Sequence, residues 1–104
     1  MLMVASTLRV APSEGARLEE KLRSRLGRVD AHDGFLRLRL LRRKGAAGEY
    51  LFVTEWRDLA SFAAYLKSDD FAASQDRIPD DLAQAISTEP PALFEDVLDS
   101  KRGD

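Results

Sequence analysis

Cysteine is absent from the chain. A disulfide scaffold, a thiolate nucleophile, a cysteine-ligated zinc or iron–sulfur centre and a CxxC redox motif are therefore excluded. Histidine occurs once, as His32, so no multi-histidine metal site can form within one chain. Neither sign of charge dominates. Sixteen Lys and Arg stand against 18 Asp and Glu, for a formal net charge of −2, and the chain lacks the basic footprint on which nucleic-acid binding relies. No apolar run approaches the roughly 18–20 residues of a membrane span. The apolar start, residues 1–8, has no basic segment before it, is broken by Ser6 and Thr7, and lacks a small-residue cleavage site, so it reads as a strand and not a leader. A soluble cytoplasmic protein is expected, with no nucleic-acid and no membrane partner. Internal repeats, Gly-rich phosphate loops, nucleophile elbows and HExxH motifs are missing as well.

What remains is a length of 104 residues, enough for one domain of about ordinary size. A single domain over residues 1–99 with a flexible polar tail at 100–104 is expected. Along residues 3–10, Val4, Ser6, Leu8 and Val10 share one face of a strand. Pro12 and Ser13 then open an amphipathic helix of about four turns, on which Leu18, Leu22, Leu26 and Val29 form the apolar stripe. His32 follows in a polar loop, where it is expected to be solvated.

Residues 35–43 and 49–57 alternate around a glycine-containing loop and read as a hairpin. Folding it symmetrically sets Arg43 against Glu49, Leu41 against Leu51, Arg39 against Val53 and Arg37 against Glu55. The other face then pairs Leu36 with Trp56, Leu38 with Thr54, Leu40 with Phe52 and Arg42 with Tyr50. The basic cluster of Arg37, Arg39, Arg42, Arg43 and Lys44 is expected to be neutralised by Glu49 and Glu55. Asp58 suits the cap of a second helix carrying Leu59, Phe62, Ala63 and Leu66, with Ser68-Asp69 recapping a short helix that holds Phe71. Leu82 and Ile86 suggest one or two more helical turns, Pro90-Pro91 stops them, and residues 92–98 close the chain as a strand. The order βαββαβ is a ferredoxin-like α+β fold, a four-stranded antiparallel sheet with both helices on one face. The other face would expose Ala5, Thr7, Leu41, Leu51, Val53 and Phe35, and burying it in a homodimer is expected.

Three segments together resemble the antibiotic biosynthesis monooxygenase family of dimeric α+β barrels. They are His32-Asp33-Gly34-Phe35-Leu36, the run from Tyr50-Leu51-Phe52-Val53-Thr54-Glu55-Trp56 to Phe62-Ala63-Ala64-Tyr65-Leu66-Lys67-Ser68-Asp69-Asp70-Phe71, and Leu93-Phe94-Glu95-Asp96-Val97-Leu98. One branch of that family degrades haem, using an asparagine on the first strand, a tryptophan on the second helix and a histidine further along as the iron ligand. By strand pattern and spacing these positions fall on Ser6, Tyr65 and Gln75, so none of the three residue types is kept. Another branch oxygenates phenolic or quinol-like molecules without metal or flavin, in an apolar pocket between the helices and the sheet. The resemblance therefore implies a cofactor-independent monooxygenase acting on a small aromatic, quinol-like substrate. Tyr65, Gln75 and Ser6 are the candidate catalytic residues, and Trp56, Phe52, Thr54, Phe62, Phe71 and Leu38 the candidate pocket walls. A non-catalytic dimeric ligand-binding or regulatory module and a haem-binding protein ligated through Tyr65 are the alternatives. Apart from that last alternative, no cofactor or metal is expected. Taken alone, Trp56 reads most simply as a core aromatic.

Overall fold

Three alternating segments make the body of one antiparallel sheet: β1 (Leu2–Arg9), β2 (Phe35–Arg42) and β3 (Glu49–Trp56). The structure is a computed structural model that describes residues 1–23, 29–69, 71 and 86–103. The strands lie in the order β2-β3-β1, and two short strands, β4 (Ser87–Thr88) and β5 (Ala92–Glu95), share the remaining edge of β1. Leu8 and Arg9 pair with β4, and Leu2 to Ala5 pair with β5, so the two pieces fill one fourth position in the sheet. Pro90 and Pro91 stand between them. Neither proline has an N–H for the ladder, which accounts for the break and for its place on an edge.

The last strand is therefore shorter than the pattern of residues 92–98 suggests: it ends at Glu95, and Val97 and Leu98 beyond it are exposed. Ile86, expected in a helical turn, instead leads into β4, while Leu82 lies outside the described residues. The topology is the ferredoxin-like α+β arrangement with an open sheet.

Helix α1 (Gly15–Arg23) follows a 3-10 turn at Pro12–Glu14 and buries Leu18 and Leu22. Leu26 lies outside the described residues. Val29 belongs not to this helix but to a separate 3-10 turn, Val29–Ala31, where it is buried. Helix α2 (Leu59–Leu66) starts at Asp58 as the pattern indicates, with the Asp58 carboxylate accepting from the Ser61 N–H at 2.8 Å and from its hydroxyl at 2.7 Å. Ser68 recaps the chain after it, its Oγ accepting from the Phe71 N–H at 3.2 Å.

The hairpin register holds for Arg37–Glu55, Leu38–Thr54, Arg39–Val53, Leu40–Phe52, Leu41–Leu51 and Arg42–Tyr50, and it fails at one position. A bulge between Phe35 and Arg37 sets Phe35, not Leu36, opposite Trp56. Phe35 thereby turns into the core, its ring edge-on to Trp56 at 5.4 Å, and Leu36 is left 54% exposed. The open face consequently loses Phe35. It also presents little of Val53, which its neighbours cover to 3% exposure. Leu41, Leu51 and Phe94 are the large apolar groups it does expose, beside half-buried Met3 and Ala5. Of the basic cluster, Arg43 pairs with Glu49 as expected, whereas Arg42 reaches across the helix-covered face to Glu19 of α1.

Candidate functional site

The core under the helices forms two clusters. Leu2, Val4, Val29, Trp56 and Tyr65 pack beneath α2, with Phe35, Leu38, Phe62 and Phe71 against them. Val10, Leu18, Leu22 and Tyr50 pack beneath α1, with Leu8, Leu40, Phe52 and Ile86 against them. Strand alternation explains where the seam falls. On β1, Ser6 stands between Val4 of the first cluster and Leu8 of the second; on β3, Thr54 stands between Trp56 and Phe52. Two small hydroxyl residues, diagonal neighbours across the β1–β3 ladder, thus form the floor where larger side chains would close the gap.

A cavity of about 290 Å³ opens over that floor. Leu18 and Leu22 of α1 bound it on one side, Phe62, Tyr65 and Leu66 of α2 on the other, and Val29, Phe71, Ile86 and Pro91 complete the wall. The volume is at the lower end of the range for small-molecule sites, which is about 300–1,000 Å³. Among the described residues, no Asp, Glu, Lys, Arg or His lines it.

Of the residues singled out from sequence, Ser6, Leu38, Phe52, Thr54, Trp56, Phe62, Tyr65 and Phe71 all meet in this one cavity. Gln75 lies outside the described residues. The aromatic wall is continuous. Trp56, with no exposed surface, lies 5.2 Å from Tyr65 and 5.6 Å from Phe62, and Tyr65 is edge-on to Phe71 at 5.4 Å. These separations are in the range where aromatic pairs gain beyond simple burial. The Trp56 indole N–H donates to Thr54 Oγ1 at 3.0 Å, a buried bond between side chains two apart on one strand face.

His32 departs from its expected place in solvent. It is half-buried with its ring edge-on to Tyr65 at 4.9 Å, fastening the far side of the tyrosine that faces the cavity. The polar composition of residues 30–34 carried no signal for this contact, because the 3-10 turn at Val29–Ala31 is what brings the loop back over α2.

A second polar group ties α1 to the hairpin. The Tyr50 hydroxyl donates to Glu19 Oε2 at 2.7 Å, and the Arg42 guanidinium donates to both Glu19 oxygens at 2.8 and 2.7 Å. The Tyr50 bond, followed by that of Arg42, holds the Glu19 carboxyl below the usual carboxylate range, while burial, then the Glu19 contact, pushes the Tyr50 phenol upward. A carboxylate with a lowered folded-state pKa stabilises the fold above its unfolded value, about 4.3, and the benefit disappears as pH falls through the lowered one. The urea midpoint of the native protein should therefore drop more steeply between roughly pH 5 and pH 3 than that of Glu19→Gln. Equal slopes would remove Glu19 from the acid response.

No curated protein matches the chain significantly. Among solved structures, the haem-degrading protein MhuD of Mycobacterium tuberculosis, described with two haems in its active site, superposes with a TM-score of 0.79 at 25% identity, over 97% of this chain and 100% of its own. SnoaB of Streptomyces nogalater, described as a cofactor-independent oxygenase, superposes with a TM-score of 0.75 at 21% identity, over 94% of each chain. A conserved protein of Methanosarcina mazei does so with a TM-score of 0.73 at 16% identity, over 89% of each chain. The sequence profile described as "Antibiotic biosynthesis monooxygenase" matches residues 1–77, covering β1 to α2 and so most of the cavity wall, and on that match the chain belongs to the antibiotic biosynthesis monooxygenase family.

Proposed function

We propose that the protein is a cofactor-independent monooxygenase that binds a small, flat, quinol-like aromatic in the cavity between the two core clusters. The observation that carries this reading is the seam itself, a largely apolar cleft with aromatic walls, two hydroxyl residues on its floor and Tyr65 in its wall. Such a lining grips a ring by its faces and reads its oxygens by hydrogen bonds, with no fixed charge to demand a charged ligand. An electron-rich aromatic, once deprotonated, is itself the reductant that O₂ requires. The protein's part is then to exclude water, orient the ring and stabilise the anion. Tyr65 and Ser6 orient the substrate in this scheme, Gln75 polarises it, and Trp56, Phe52, Phe62, Phe71 and Leu38 wall it. Membership of the family and the likeness to SnoaB support the same reaction class.

The likeness to MhuD raises haem as a second reading. The described lining does not fit it. Haem iron takes its axial bond from histidine, thiolate, thioether or phenolate; among the described residues the only such group on the wall is the Tyr65 phenol, and no described cation lines the cavity to favour its anion. His32 touches the outer side of Tyr65 and does not line the cavity.

We infer further that the open sheet face, with Leu41, Leu51 and Phe94 exposed, is buried against a second copy of the chain. Light scattering should give twice the 11.6 kDa chain mass, and a monomer mass would overturn this.

For the cavity, hydroquinones and naphthols should raise the melting temperature and be consumed together with O₂ in the presence of the protein. Binding without O₂ uptake would leave a ligand-binding module; neither effect would end the reading. Hemin should give no saturable Soret shift at one equivalent per chain, and a shift would reinstate haem.

A further inference from the structure

Thr54 is 7% exposed and lies on the cavity floor, where its hydroxyl already accepts the Trp56 indole N–H. Indole nitrogen only donates, so the direction of that bond is fixed by chemistry. A hydroxyl has one proton to give, and the Trp56 bond leaves Thr54's unspent. Its direct neighbours across the two ladders, Val4 and Leu38, are apolar and offer no side-chain acceptor. Among the described residues, the Thr54 hydroxyl accepts from Trp56 and donates to no side chain or carbonyl. A buried donor without a partner is unfavourable, and Thr54 lines a cavity whose walls are otherwise mostly apolar.

We propose that Thr54 is the residue that binds the ligand's oxygen. Its hydroxyl donates to a phenol or phenolate oxygen on the cavity floor, and the Trp56 N–H orients it for the purpose. Accepting a hydrogen bond polarises a hydroxyl and makes it the stronger donor, and the effect is largest where water is excluded. Trp56 thus acts through Thr54 as a positioning residue as well as a wall. The donation favours the ionised ligand, because the bond to an oxyanion is worth more than the bond to a neutral phenol. This inference rests on the cavity being the ligand site proposed above, and it adds the group that recognises the ligand's oxygen.

The probe is 2-naphthol, whose anion is distinguished from the neutral form by absorption and fluorescence. Its dissociation constant and the pH at which it ionises when bound are measured for the native protein and for variants. In Thr54→Val the bound naphthol should ionise about one pH unit higher than in the native protein, and its anion should bind roughly tenfold more weakly. Thr54→Ser, which keeps the hydroxyl, should stay close to the native values. Trp56→Phe, which keeps the ring wall and removes the N–H, should shift ionisation in the same direction by less. Thr54→Val leaves the indole N–H without an acceptor and can fail to fold for that reason. The double variant T54V/W56F removes both partners, so it keeps the comparison available, and it should ionise the probe as Thr54→Val would. Naphthol that binds to Thr54→Val or the double variant with unchanged ionisation and affinity overturns the role of Thr54 and leaves the cavity reading standing. Naphthol that does not bind the native protein overturns both.

Discussion

Trp56→Ala should lose roughly 3–5 kcal/mol of stability, the usual range for removing a fully buried aromatic. Trp56 has no exposed surface, and it is the side chain on which Phe35 from β2 and Phe62 and Tyr65 from α2 converge, at 5.4, 5.6 and 5.2 Å. Domains of this kind are stable by only about 5–15 kcal/mol, so the loss is a large part of the whole. In urea the midpoint should fall while the slope is unchanged, since the same surface is exposed on unfolding. The vacated space adjoins the existing cavity, and an apolar void lined by aromatic rings binds apolar molecules. Indole added to Trp56→Ala should therefore restore part of the lost midpoint and do little for the native protein. A variant as stable as the native chain would mean that the four rings do not depend on one another. Unaltered stability with indole would mean that the void collapses.

The same residue shows what sequence pattern can and cannot carry. Alternation alone placed Trp56 on the helix-covered face with Phe52, Thr54, Ser6 and Leu38, because a strand offers only two sides and one was already the apolar one. Six cross-strand pairs of the hairpin followed from the position of its loop. The bulge at Leu36 did not follow. It exchanges Phe35 for Leu36 in the core, next to the point where residue 34 lies against Ser61 of α2, a tertiary contact that no local pattern encodes. His32 departs from its pattern for a related reason, since a polar loop is solvated by default and only the contact with Tyr65 makes it otherwise. The edge strand is two pieces where alternation suggests a single run, and Pro90-Pro91 is the signal for the break: prolines that stop a helix also interrupt a ladder, and β4 lies before them. The Thr54–Trp56 bond, by contrast, was open to inspection in the sequence. Residues two apart on a strand share a face, and a donor-only indole beside a hydroxyl in an otherwise apolar row has one obvious partner.

Gly34→Ala is the second substitution expected to be severe, and its effect should reach the site from a distance. Gly34 has φ of +85°, a conformation that costs an L-residue about 1–2 kcal/mol. It also sits directly against α2, where an added Cβ would overlap both Oγ and Cβ of Ser61. Ser61 is buried and bonded to the Asp58 cap, and the Arg57 N–H donates to the Gly34 carbonyl at 2.7 Å, so neither side can withdraw freely. Overpacking of this sort adds about 1–3 kcal/mol. The sum predicts a loss of roughly 2–5 kcal/mol, read as a lower urea midpoint. A double-mutant cycle separates the two causes. Ser61→Gly removes the atoms that the new methyl would strike, and on its own it costs about 0.5 kcal/mol in helix propensity in addition to its hydroxyl bond to Asp58. In the pair G34A/S61G the overpacking share should vanish while the backbone share remains, giving a favourable coupling of about 1–3 kcal/mol. Strict additivity would show that the close approach of the turn before β2 to α2 is not what requires glycine at position 34. A favourable coupling would identify it as the contact that fixes the bulge, and through the bulge the turn of Phe35 onto Trp56, one layer behind the cavity wall.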